Sequence, residues 1–202
     1  MLTMAKGFLI GAGMIIPIGA QNSYILTQSI KKNYHLMVAT ICVICDFTLM
    51  TLGVFGGGAL VASNDIAYYA LTIAGILFLT VYGAIFFKEF LKSSIGDIAE
   101  SSAPSTRKAV LFTTLAVTLL NPHVYLDTVV IIGSISGQYQ GSEKWWFWLG
   151  ILLASLTWFY SLALAAAKMS PWLSQGKVQQ GINLFVAVVM WSIALSLVVN
   201  LL

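Results

Sequence analysis

Cys42, Cys45, Asp46, His123 and Asp127 all lie inside long apolar runs, where ionisable or redox-active side chains are out of place. An Asp at the centre of a lipid-spanning helix costs about 2.5–3.5 kcal/mol on insertion scales, so it persists where it has a partner or a task. Asp127 follows Leu120-Asn121-Pro122-His123-Val124-Tyr125-Leu126, in which Asn121 is a good N-cap and Pro122 a good first helical residue. A helix start at membrane depth exposes backbone groups that protein or a water-lined cavity must satisfy, and this is how transporters build solute sites. His123 and Asp127 are four residues apart and share a helix face. Pro17-Ile18-Gly19-Ala20-Gln21-Asn22 marks a second break, with Pro17 and Gly19 interrupting the run. Laid over Pro122–Asp127 without gaps, it sets Asn22 opposite Asp127.

The two breaks describe a recognisable chemistry. A half-helix beginning at Pro122 turns unpaired N–H groups toward the site and favours a carboxylate. Asp46 and Asp127 favour a cation. A zwitterion with an additional positive charge, such as lysine or arginine, satisfies both. Cys42 and Cys45 have the Cys-x-x-Cys spacing of thiol oxidoreductases, but electron relay across a membrane usually takes a second pair and this chain has none. They read instead as two small apolar residues one turn apart.

The elements that position these groups follow from composition. Of 202 residues 59% are hydrophobic and 8% charged, against roughly 25% charged in a soluble domain. Mean hydropathy is +0.90. The expected fold is an all-α integral membrane protein, with room for about six helices of about 20 residues and little else. A net charge of +3 without a basic patch excludes a nucleic-acid partner, and neither a metal nor an organic cofactor is expected. Membrane lipid is the surrounding partner, and a homo-oligomer stays open.

The apolar runs extend over about 7–30, 36–62, 67–87, 109–134, 145–167 and 182–202. Lys6 and the small residues Gly19 and Ala20 faintly resemble a secretory signal, but cleavage there would remove Gln21 and Asn22, so the first run is read as a span. The glycines at 56–58 are read as a packing surface, since a membrane helix is a poor nucleotide cradle, and Trp145, Trp146 and Trp148 as an interfacial belt. A polar, Ser-containing linker over about 92–108 divides the chain into halves of about 5–91 and 109–202. Three spans per half would make the halves inverted repeats, each opening with a helix broken at proline, the breaks meeting near the midplane.

Lys31, Lys32, Lys88, Lys92, Arg107, Lys108, Lys168 and Lys177 fall after runs one, three and five, whereas Lys6 and Lys144 fall on the other side. The positive-inside rule places those loops in the cytoplasm and both termini outside. Lys6 argues the other way, and a first run that does not fully cross would leave five spans.

Pro17–Asn22 and Asn121–Thr128 resemble the paired signatures of the LysE-type exporters of lysine and arginine, and the resemblance covers nearly the whole chain. It implies proton-driven export of basic amino acids through a bacterial inner membrane, with no enzymatic activity. Gln21, Asn22, Asp46, Asn121, His123, Tyr125 and Asp127 are accordingly the expected substrate-binding residues. A carboxylate buried in lipid is neutral when protonated or when paired with a cation, which makes Asp127 and Asp46 the expected proton-coupling groups. Related RhtB-type exporters of homoserine and neutral amino acids share the size and layout, and they are the alternative, with a thiol oxidoreductase at Cys42 and Cys45 behind them.

Overall fold

The computed structural model describes residues 1–17, 19–56, 65–94 and 106–199. Among them every regular element is helical. Helix α1 (Leu2–Ile15) and helix α2 (Ala20–Ile30) are joined at an angle of 79°. The glycines at 57 and 58 and most of the 92–108 linker lie outside the described residues.

Helix α3 (His35–Phe55) follows the first basic loop, and helix α4 (Asp65–Ser94) extends well past the expected end of the third run. Thr106 caps helix α5 (Arg107–Leu119), its hydroxyl accepting from the Ala109 N–H at 3.3 Å. The chain breaks at Leu120–Asn121 and restarts at Pro122, as the Asn-Pro pair predicts. The new helix runs as α6 (Pro122–Tyr125), a wide π turn (Leu126–Ile131) and α7 (Ile132–Ser136). Sequence gives no warning of the π turn. Helix α8 (Ser142–Lys168), the short α9 (Ser170–Leu173) and α10 (Gly176–Val199) complete the chain.

Among the described residues four helices are long and apolar enough to cross a membrane, and there are up to five if the bent α1–α2 pair is one span. At 13 residues α5 rises about 20 Å, short of the ~30 Å hydrocarbon core, so the α5–α7 run does not form a sixth straight rod. The outward surface is apolar, with Leu9, Ile44, Leu77, Val81, Phe112 and Leu195 more than half exposed, while Asn22, Asp46, Asn121 and Thr128 are buried. That polarity suits a hydrocarbon solvent rather than water. Trp145 and Trp146 are exposed, as a belt requires. Trp148 departs from that expectation: its indole N–H donates to the Thr51 hydroxyl at 3.0 Å and its ring packs edge-on against Phe47 and Phe55.

Helix α8 organises the interior, packing against α1, α2 and α3. Three polar rungs join it to α3: Thr40 to Tyr160 at 2.8 Å, Asp46 to Ser155 at 2.7 Å and Thr51 to Trp148. Residue numbers rise on one helix as they fall on the other, so the two are antiparallel. Backbones approach most closely at glycines. A Cβ on Gly150 would fall onto the carbonyl of Met4 in α1, and one on Gly53 onto the carbonyl of Thr128 in the π turn.

Gly150→Ala is therefore expected to force α1 away from α8 and lower stability by about 1–3 kcal/mol. Gly13→Ala, with open space around it, is expected to be neutral or stabilising by about 0.5–1 kcal/mol. Thermal melting of the two purified variants in detergent makes the comparison.

Candidate functional site

A cavity of about 250 Å³ lies between the two breaks. It is smaller than the roughly 300–1,000 Å³ of a drug-sized site and matches a small solute. Pro17, Gly19, Gln21 and Asn22 line it from the first break, Asn121, Val124 and Thr128 from the second, and Asp46 and Met50 from α3. Four of the expected binding residues, Gln21, Asn22, Asp46 and Asn121, therefore meet around one space, although a hundred residues separate the two breaks. The side chains of Pro122, His123 and Asp127 lie outside the described ones. The backbone places residue 127 in the π turn, a deviation that recurs at functional sites.

Asp46 is 3% exposed and its Oδ2 accepts from the Ser155 hydroxyl at 2.7 Å. Among the described residues no cation pairs with it. A buried carboxylate with a single hydroxyl partner is incompletely compensated, and a positively charged solute or a proton would complete it.

Asn22 is engaged with the break itself. Its Nδ2 donates to the carbonyls of Ile15 at 2.7 Å and Pro17 at 3.0 Å, and its Oδ1 accepts from the Trp158 indole N–H at 3.1 Å. Both amide hydrogens are thus taken by backbone left open at the end of α1, and a solute has at most the remaining lone pair of Oδ1. Tyr125 does the same work at the second break, its hydroxyl donating to the Leu119 carbonyl at 3.0 Å. It does not line the cavity. The Gln21 amide nitrogen, by contrast, is buried without a regular hydrogen bond among the described residues, with the Cys42 thiol beside it, and Gln21 lines the cavity. The first turn of α2 opens beside it at Gly19–Asn22, with no side chain capping it.

Ser155 and Trp158, the partners of Asp46 and Asn22, went unnoticed in the sequence, as did the cavity-lining Phe159 and Ile193. The one signal in the sequence is a hydroxyl and an indole one turn apart, in a run that also carries Thr157, Tyr160 and Ser161. Cys42 and Cys45 are free thiols, Cys42 fully buried in the main core.

Residues 12–201 match the family model described as LysE type translocator. The arginine exporter ArgO of Pectobacterium carotovorum subsp. carotovorum (strain PC1) is 45% identical over 192 residues, covering 95% of this chain and 94% of that protein. ArgO of Escherichia coli (strain K12) is 44% identical over 192 residues, covering 95% and 91%. The putative amino-acid transporter YggA of Aeromonas salmonicida is 46% identical over 195 residues, covering 96% and 95%. No solved structure matches the chain.

Removing the Asn22 amide leaves buried carbonyls unpaired at about 1–3 kcal/mol each. Asn22→Ala is expected to lower the melting temperature markedly. Asn22→Asp, which keeps the shape and the acceptor for Trp158 but not the two donors, is expected to do nearly the same.

Proposed function

The chain belongs to the LysE family of translocators, and on that footing we propose that it exports L-arginine, and L-lysine by the same chemistry, in exchange for protons. The family and the apolar helices make it a multi-pass inner-membrane amino-acid transporter and not an enzyme. The observation that carries the finer reading is Asp46: a carboxylate almost wholly withdrawn from solvent, on the wall of a small cavity, with Ser155 as its hydrogen-bond partner. A guanidinium or ammonium group supplies the charge that this arrangement lacks, and Asp127 stands as the second acid. Curated relatives bearing the name arginine exporter support the same substrate. At the other end of the solute, the Gln21 amide and the helix starts at Ala20 and Pro122 favour an α-carboxylate.

Moving a cation out against an inside-negative potential costs about 2.3 kcal/mol per charge per 100 mV. Competition of proton and cation at Asp46 and Asp127 couples the two flows. One inward proton per outward monocation is electroneutral and driven by the pH gradient alone, whereas two protons also draw on the potential.

The six-span, inverted-repeat arrangement completes the proposal. The broken α1–α2 run packs on α8 of the second half, and the broken α5–α7 run packs on α3 of the first. α3 crosses α8 antiparallel, and α4 pairs with α10. An approximate two-fold axis in the membrane plane would exchange these contacts with one another, which is the relation inverted halves require. With both termini outside, the basic loops face the cytoplasm, where substrate enters.

In proteoliposomes loaded with labelled arginine, Asp46→Asn is expected to lower efflux more than tenfold and to abolish the accompanying proton movement. Asp127→Asn is expected to do likewise; efflux that stayed fast and proton-coupled would remove Asp127 from the coupling role. Arginine and lysine should compete with each other, while leucine and homoserine should not.

A further inference from the structure

Ser155 and Trp158 sit one helical turn apart on α8, and each holds a different part of the site. Ser155, 1% exposed, donates to the Asp46 carboxylate, while Trp158, packed against the main core, donates through its indole N–H to Asn22. Asn22 in turn holds the carbonyls of Ile15 and Pro17 across the 79° bend. The chain of contacts Asp46–Ser155–Trp158–Asn22–bend is continuous, and its middle link is a single turn of a 27-residue helix. We propose that Trp158 is a positioning residue for transport: it ties the first break to α8, so that filling or emptying the Asp46 site changes the set of the bend between α1 and α2.

The physical reason lies in which side chain secures the bend among the described residues. The 79° angle separates α1 from α2, and the side chain holding the open carbonyls is Asn22. Asn22 is itself oriented by the Trp158 N–H, because an Oδ1 accepting from the indole leaves Nδ2 turned toward the carbonyls. A shift of α8 by a fraction of an ångström on the Asp46 side reaches Asn22 through a rigid helical turn. Substrate needs no contact with Trp158, whose role is to let the bend respond.

The proposal rests on the reading of Asp46 as the cation-binding group, and transport and binding measured on the same variants keep the two separable. Trp158→Phe keeps the aromatic body and deletes the N–H. In proteoliposomes it is expected to lower arginine turnover about tenfold, with half-saturation within about twofold of wild type. Trp158→His, which retains a ring N–H, is expected to recover part of the loss. Ser155→Ala is expected to slow turnover too, and Ser155→Ala combined with Trp158→Phe to be no slower than the worse single variant, since both cut one linkage. Wild-type turnover in Trp158→Phe, or losses that multiply in the double variant, would overturn the proposal. If Trp158→Phe does not fold, wild-type turnover in Ser155→Ala overturns it independently. Unchanged calorimetric binding of arginine to Asp46→Asn would instead remove the reading of Asp46 on which the linkage depends.

Discussion

A lipid solvent offers no hydrogen bonds, so each interruption of a helix within it has to be completed by the protein's own groups. That constraint governs this structure. The end of α1 is completed by the Asn22 amide, the end of α5 by the Tyr125 hydroxyl, and the carbonyl of Val124 at the π turn by the hydroxyl of Thr128. Each of these side chains lies just beyond the break it serves, so the repair is local in sequence even though the cavity it creates is not. An unbroken pair of helices would have needed none of them, and would have left no cavity for a polar solute.

Local repair also explains the packing around it. Bringing two broken helices together at depth requires neighbours that approach closely, and this is where the glycines fall: Gly7 and Gly11 of α1 against α8, and Gly53 of α3 against the π turn and Gly133. Weak association between apolar surfaces in lipid puts a premium on such contacts, because van der Waals packing and interhelical hydrogen bonds have to do what water does for a soluble core. The three rungs between α3 and α8 supply the second of these and fix the register that sets Asp46 beside Ser155.

Features that were legible in the sequence have a residue-level cause. Pro17 and Pro122 lack an N–H and announce a break in any solvent; Asp46 stands out because charge in an apolar run is costly; and the linear likeness of the two proline segments anticipated that they would face each other. Features that were not legible depend on which helix lies next to which. Nothing within α8 marks Ser155 as a carboxylate partner rather than one more small residue, and Trp158 gave no hint that its N–H points inward, while Trp148, assigned to the belt, does so too. At Asn22 the sequence displays the polar group but not the carbonyls that occupy its amide. Over 109–134 the Asn-Pro pair marks the break at Leu120–Asn121, while the wide turn after it appears only once backbone bonds are traced.

If Asp46 binds the cation as proposed, the arrangement around it gives a physical reason for leaving the site electrically incomplete. A permanent internal cation beside the carboxylate would compensate it well, and breaking such a buried pair costs about 3–5 kcal/mol, a penalty that an incoming guanidinium would have to overcome on every cycle. A single neutral hydroxyl avoids that competition. It orients one carboxylate oxygen, contributes on the order of 1.5–3 kcal/mol as a hydrogen bond to a charged group, and leaves the other oxygen to whichever positive species arrives. On the proposed reading, proton and substrate replace one another without disturbing a fixed partner. The same economy is proposed at Gln21, whose amide nitrogen has no regular hydrogen bond among the described residues. Asn22 and Tyr125 are hydrogen-bonded to backbone, and the proposed solute-binding groups Asp46 and Gln21 keep capacity in reserve. Three of these four side chains, Asn22, Asp46 and Gln21, line one small cavity.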